Sequence, residues 1–237
     1  MGFDCASRTH VGHRRKLNED AVLSCADRGI WAVADGMGGH DAGEVASAMV
    51  VDALSEFPPA SSLENLVGKA IAALESVNET LVEMARGGFE KRVIGSTVVG
   101  LVADETQYRC FWVGDSRGFR IRSSGIVQLS RDHSLVQDLV DAGMLEPDEA
   151  ENHPNANVVT RAVGAAEALQ VDTVGGEVRS GDIFLLASDG LTRVVGTQEL
   201  LDEISSNDIH AAADKLIELT LARGAPDNVS LVIIRVS

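Results

Sequence analysis

Acidic residues stand at the ends of several apolar segments of this sequence. Three segments, IWAVAD, CFWVGD and IFLLASD, each end on an aspartate, whereas AVLSC follows Glu19-Asp20 and VSLVIIRV follows Asp227-Asn228. The positions are Glu19 with Asp20, Asp35, Asp115, Asp189 and Asp227. If the segments are antiparallel strands, the ends of one set and the starts of the other can share one edge of a sheet. The pattern therefore predicts five acidic positions that converge.

Taken singly, each Asp-Gly or Asp-Asn pair is also a common turn former. Taken together, converging carboxylates repel one another and lose hydration, and a bound cation is the natural way to neutralise them. Oxygen ligands without histidine or cysteine favour magnesium or manganese over zinc. Two such ions about 4 Å apart can activate a water for attack on phosphorus.

Short β-branched segments and amphipathic segments alternate along the chain and must position these carboxylates. Strands are predicted at 21–25, 30–34, 97–103, 108–113, 118–122, 183–187 and 229–236. Helices are predicted at 43–57, 62–86, 134–143, 197–205 and 207–223, the last with Asn207 as N-cap and Gly224 as its stop. Several strands follow one another without room for a crossover helix, which indicates an α+β class with antiparallel sheets and helices packed outside.

Composition limits the classes of function. The 237 residues include 36 acidic and 20 basic ones, and the net charge of −16 disfavours binding to nucleic acids or anionic membranes. The three cysteines, Cys5, Cys25 and Cys110, show no spacing typical of disulfide frameworks or zinc sites. We find no pattern of a signal peptide or membrane span, so we expect a cytoplasmic protein.

Eight segments in order carry a resemblance to a known family. They are GHRRKLNED at 12–20, ADGMGGHDAGEVAS at 34–47, GSTVV at 95–99, VGDSRGF at 113–119, DHSLVQDLVDAG at 132–143, NVVTRAVG at 157–164, SDGL at 188–191 and PDNVSLV at 226–232. With them the chain resembles the short bacterial form of the type 2C, metal-dependent (PPM) serine/threonine protein phosphatases. The resemblance implies a four-layer α-β-β-α sandwich, one catalytic domain over 1–237, and a flap at about 130–160.

The resemblance also implies roles for the acidic residues. Asp35 would bridge two central Mn²⁺ or Mg²⁺ ions, with the backbone carbonyl of Gly36 on the second ion. Asp189 and Asp227 would be ligands of the first ion. Glu19 and Asp20 resemble the acidic pair that holds the second ion largely through waters, and the sequence does not rank them. Asp115, together with Asp189, resembles the site of a third ion.

Two further residues take catalytic roles by the same resemblance. Arg15 matches the arginine that grips the substrate phosphate, and His40 matches the general acid that protonates the departing serine or threonine oxygen. The implied reaction is direct hydrolysis of phosphoserine or phosphothreonine in proteins by a metal-activated water. The implied partners are phosphoprotein substrates and a cognate serine/threonine kinase, and we expect a monomer.

Two departures and two alternatives qualify this interpretation. Ala156 stands before Asn157 where many bacterial members carry a basic residue, which leaves peptide preference open, and Ser230 stands where threonine is frequent. One alternative is a catalytically weak phosphatase fold that serves as a signalling or binding module. Another is a metal-dependent nuclease or small-molecule phosphatase, although the net charge of −16 weighs against nucleic acid.

Overall fold

The computed structural model describes residues 2–38, 42–56, 62–87, 93–150 and 153–237. Its strands are β1 (Phe3–His10), β2 (Asp20–Cys25), β3 (Ile30–Met37), β4 (Gly95–Ser96), β5 (Val98–Ala103), β6 (Gln107–Val113), β7 (Arg117–Arg122), β8 (Gly125–Gln128), β9 (Asp172–Glu177), β10 (Ile183–Ala187) and β11 (Val229–Val236). Sheet 1 has the order β1-β11-β10-β7-β8, and sheet 2 has the order β2-β3-β5-β6-β9 with β4 paired to β3. The neighbours in both sheets are antiparallel.

Helices cover the outer faces of the two sheets. The described helices are α1 (Ala42–Ser55), α2 (Leu63–Gly87), α3 (Leu135–Asp141), α4 (Pro147–Ala150), α5 (Asp189–Thr192), α6 (Thr197–Ser206) and α7 (Ile209–Ala222). Of these, α3 and α4 pack on each other rather than on a sheet. Helix α1 packs on β2 and β3 and helix α2 on β5 and β6, whereas α5 and α7 pack on sheet 1 and α6 on α7 and β8. The predicted α+β sandwich of four layers is confirmed.

The period-two alternation of strand residues explains the layers. Along β3, Ile30, Ala32 and Ala34 face the core beneath α1 and α2, whereas Trp31 and Val33 face the core between the sheets. All five are buried, so neither face of this strand meets solvent. Such a strand reads as a continuous apolar run, as the sequence IWAVA does.

The seven predicted strands are present, with bounds that differ by at most three residues. Strands β1, β4, β8 and β9 were not predicted. The five predicted helices are also present, but the cap of the last one was wrong. Asp208 is the N-cap of α7, and its carboxylate accepts the His210 N–H at 2.9 Å. Asn207 is instead extended at the end of α6, where its side chain donates to the Glu203 carbonyl at 2.8 Å.

Within the described ranges, no helix combines the length and the apolar character that a bilayer crossing requires.

Candidate metal centre

A cleft of about 490 Å³ opens where the edges of the two sheets meet. Its lining includes the carboxylates of Glu19, Asp35, Asp115, Asp189 and Asp227, and Arg15 stands beside them. The predicted convergence is therefore present in the structure. These carboxylates come from strand ends of both sheets, so the sandwich has to form before they can meet.

Asp20 lies behind the cleft and is paired directly with Asp35 in the register of β2 and β3. It is 8% exposed, and its Oδ2 accepts a hydrogen bond from Ser188 Oγ at 2.9 Å. Its Oδ1 is buried without a hydrogen-bond partner among the described residues. Because an unpaired buried carboxylate oxygen costs free energy, this atom favours a water or a cation nearby.

Burial and mutual repulsion raise the pKa values of these carboxyl groups. Burial raises the pKa of Asp20 to about 7, and the charges of Asp189 and Asp227 act in the same direction. Burial also raises the pKa of Asp115 to about 7, with Asp189 adding to the rise. The pKa of Asp35 lies well above its usual value, through burial first and the charge of Asp20 second. The raised pKa values show that the negative charge of these carboxylates is not fully balanced by positive groups nearby.

Guanidinium groups supply part of the balancing positive charge. Arg15 Nη2 donates to Asp227 Oδ2 at 2.7 Å. Arg193 donates to Asp115 Oδ2 from Nη2 at 3.0 Å, and its Nε lies 3.0 Å from Asp189 Oδ2. Among the described residues, no group of three or more His, Cys, Asp and Glu side chains is already arranged to hold an ion. The donor set nevertheless fits a hard cation, since it consists of carboxylate oxygens and includes the unpartnered Asp20 Oδ1.

Asn228 organises the entrance to the cleft and was not among the predicted site residues. Its Nδ2 donates to the carbonyls of Val11 at 2.8 Å and Leu17 at 2.9 Å, and its Oδ1 accepts the Glu19 N–H at 2.9 Å. One amide thus holds both the loop that carries Arg15 and the backbone of Glu19. The signal in the sequence was its place directly after Asp227.

Gly36 occupies a position that a side chain could not. A Cβ added there would lie 2.0 Å from the Gly43 carbonyl oxygen and 2.7 Å from that of Glu19. The Gly36 N–H donates to the Glu19 carbonyl at 3.0 Å. A Cβ added at Gly43, in the first turn of α1, would lie 2.3 Å from Glu19 Oε1. The glycines therefore bring the backbone after Asp35, the start of α1 and the Glu19 carboxylate close together.

From the segment predicted as a flap, Asn157, Val158 and Val159 form one wall of the cleft. His133 ties the base of this segment to β6. Its Nδ1 accepts the Gly114 N–H at 3.1 Å, and its Nε2 lies 3.1 Å from Asp172 Oδ2. Its ring also stacks on Trp112. Both hydrogen bonds suit the neutral ring protonated on Nε2, and burial lowers the pKa of His133.

His40, the predicted general acid, lies outside the described residues, since the structure describes 2–38 and resumes at 42. Of the other predicted site residues, Arg15, Glu19, Asp35, Gly36, Asp115, Asp189 and Asp227 line the cleft and Asp20 lies behind it. Arg193 was not predicted as a site residue. Its single local signal in the sequence is its spacing of four residues from Asp189, and its other contacts come from distant segments.

Comparisons with known proteins agree with this geometry. The chain is 45% identical to the structure of PppA, described as a key regulatory component of T6SS in Pseudomonas aeruginosa, with a TM-score of 0.91 over 99% of this chain and 98% of that one. The catalytic domain of the serine/threonine protein phosphatase PstP, solved with two manganese ions, is 32% identical, with a TM-score of 0.88 over 100% and 99% of the two chains.

The serine/threonine protein phosphatase PstP of Mycobacterium tuberculosis is 35% identical over 228 residues, which are 96% of this chain. The chain spans 44% of the length of that relative. The family model described as Protein phosphatase 2C matches residues 8–224. The chain therefore belongs to the protein phosphatase 2C family.

Proposed function

We propose that this protein is a metal-dependent phosphatase of phosphoserine and phosphothreonine residues in proteins. The observation that carries the proposal is the convergence of carboxylates from both sheets on one cleft, with Asp20 and Asp35 forced opposite each other. The names of the relatives support the same activity, because PstP is a serine/threonine protein phosphatase.

Mn²⁺ or Mg²⁺ is the cofactor that this donor set would take. Asp35, Asp189 and Asp227, with the Gly36 carbonyl, Glu19 and Asp20, would hold two ions, directly or through water. Ions bound there supply an activated water and positive charge for the phosphoryl oxygens. The third ion implied at Asp115 and Asp189 would meet Arg193, which already contacts both side chains.

The residues of the chain would handle the phosphate and the leaving group. Arg15 stands at the cleft with half of its side chain exposed, so it can exchange Asp227 for a phosphate oxygen. His40 is proposed as the group that protonates the serine or threonine oxygen. The flap at 130–160 would contribute Asn157, Val158 and Val159 to the surface that meets the substrate.

The rest of the proposal concerns the domain organisation, oligomeric state, location and partner of the protein. We propose one catalytic domain over the 237 residues, acting as a monomer in the cytoplasm and reversing a cognate serine/threonine kinase. The net charge of −16 supports a protein substrate over a nucleic acid.

The decisive experiment measures phosphate release from a phosphothreonine peptide by metal-stripped enzyme, in chelator and with Mn²⁺ or Mg²⁺ restored. We expect no turnover in chelator and full turnover on restoration. Asp35→Asn serves as the matched control and should remain inactive at saturating Mn²⁺. Unchanged turnover in chelator would contradict the metal mechanism. Inactive wild type that still binds phosphopeptide and Mn²⁺ would favour the binding-module alternative.

A further inference from the structure

Arg193 forms three contacts with oxygen atoms at one corner of the cleft. Its Nη2 donates to Asp115 Oδ2 at 3.0 Å and to the Ala156 carbonyl at 2.9 Å, and its Nε lies 3.0 Å from Asp189 Oδ2. The oxygens come from three separate segments: the turn after β6, the flap, and the start of α5. A single guanidinium thus joins the flap to two carboxylates of the cluster.

The backbone holds Arg193 in this position. It is the C-cap of α5, and its N–H donates to the Asp189 carbonyl at 2.9 Å. Its side chain is 26% exposed, and the contact with Asp189 spans one helical turn. Because α5 begins directly after β10, the side chain has a short, fixed path back to the cluster.

The oxygens around Arg193 are of the kind that a hard divalent cation binds. Two carboxylates and a backbone carbonyl, completed by waters, are typical ligands of Mn²⁺ or Mg²⁺. A planar guanidinium with several N–H donors satisfies the same acceptors without a metal. Arg117, which also lies near Asp189, is already paired with Asp132 at 2.8 Å.

The charge of the cluster also favours an arginine over a third divalent cation at this corner of the cleft. When all six carboxylates of Glu19, Asp20, Asp35, Asp115, Asp189 and Asp227 are ionised, as ligands of a cation must be, they face the two guanidiniums of Arg15 and Arg193. Four negative charges remain, which is the charge that two divalent cations neutralise. A third divalent ion would leave the cluster with a net positive charge and would have to displace Arg193.

We infer that Arg193 takes the place of a third divalent cation between Asp115 and Asp189, so that the protein holds two ions. This inference rests on the proposed function, because it concerns the same metal cluster. It revises one implication of the family resemblance, the third ion at Asp115. The flap carbonyl of Ala156 then accepts a hydrogen bond from Arg193 instead of coordinating a metal ion.

The test is the number of Mn²⁺ ions bound per chain, measured by equilibrium dialysis with metal analysis and by the electron paramagnetic resonance signal of free Mn²⁺. We expect two ions in the wild type and three in Arg193→Gln, which frees both carboxylates. Arg15→Gln is the matched control, because it removes the same charge from the cleft but leaves Arg193 in place, and it should bind two.

A second variant keeps the test decisive if Arg193→Gln folds poorly by circular dichroism. Asp115→Asn should still bind two ions in the wild-type background, since Asp115 holds an arginine there. Three ions in the wild type, a fall from three to two in Asp115→Asn, or two ions in folded Arg193→Gln would overturn the inference. A third ion in Arg15→Gln would also overturn it, by showing a general effect of charge. Wild type that binds no Mn²⁺ would refute the proposed function itself.

Discussion

Asp20 and Asp35 are direct cross-strand partners, so strands β2 and β3 place two carboxyl groups opposite each other beside the cleft. Like charges directly opposite in a sheet are destabilising, and burial increases the cost because the charges lose hydration. The fold tolerates this pair either by keeping protons on it or by exchanging those protons for cations. In these two states, protonated and cation-bound, the stability of the protein depends differently on pH and on metal concentration.

The first prediction concerns the pH dependence of the metal-free protein. The pKa of Asp20 is raised from 3.8 to about 7 in the folded state, so between these values the folded state holds a proton that the unfolded chain has lost. Stability therefore falls as pH rises through this window, by about 1.4 kcal/mol per pH unit for each such group. We expect a lower Tm in chelator at about pH 7 than at about pH 5.5, and saturating Mn²⁺ should reverse this order.

Asp20→Asn is the control for that measurement, because it removes one of the groups with a raised pKa and should flatten the slope. His133 acts in the opposite direction, since its lowered pKa makes stability fall as pH drops below about 6.5. The difference in pH dependence between the wild type and Asp20→Asn therefore gives the contribution of the Asp20 carboxyl group to stability. Equal slopes of Tm against pH for the two proteins would mean that the pKa of Asp20 is not raised in the folded state.

The second prediction separates activity from stability at Asp35. Asp35→Asn should lose nearly all turnover at saturating Mn²⁺, as should Asp189→Asn, because each carboxylate is assigned to the metal cluster. In chelator, Asp35→Asn should raise the free energy of unfolding by about 1 kcal/mol, since it relieves repulsion with Asp20. Asp52→Asn, on the exposed face of α1, should change neither quantity. Wild-type turnover in Asp35→Asn would show that the metal centre lies elsewhere.

The third prediction concerns His40. A general acid matters most for a poor leaving group, so His40→Ala should slow hydrolysis of a phosphothreonine peptide by about 100-fold or more and hydrolysis of p-nitrophenyl phosphate far less. His210→Ala, at an exposed position of α7, is the control and should leave both rates unchanged. An equal loss on both substrates would assign His40 to positioning rather than proton transfer.

The fourth prediction concerns His133 at the base of the flap. His133→Ala removes the acceptor of the buried Gly114 N–H and the partner of Asp172, so it should destabilise the protein by about 1–3 kcal/mol. The measurement is denaturant unfolding, with His210→Ala as a control within about 0.5 kcal/mol of the wild type. A similar small effect in His133→Ala would mean that water replaces its hydrogen bonds at no cost.

Local sequence predicted the convergence because each carboxylate adjoins a strand whose apolar run is unmistakable, as in IFLLASD before α5. Strand β1 was missed because FDCASRTH mixes charged and polar residues, and its partner β11, across the whole chain, is what makes it a strand. Strand β9 contains two glycines, and a Cβ at Gly175 would lie 2.2 Å from Arg109 Nη1. Such close approaches depend on tertiary neighbours, as do the contacts of Arg193.

The position of β11 has a consequence for the synthesis of the protein. This strand lies between β1 and β10, yet it occupies residues Val229–Val236 and follows directly on Asp227 and Asn228. Until the ribosome has added these residues, β1 lacks its hydrogen-bonded partner strand, and sheet 1 has a gap between β1 and β10. The nascent chain therefore cannot assemble its cleft early. A translation product that stops before residue 227 lacks Asp227 and β11, and with them the complete cleft.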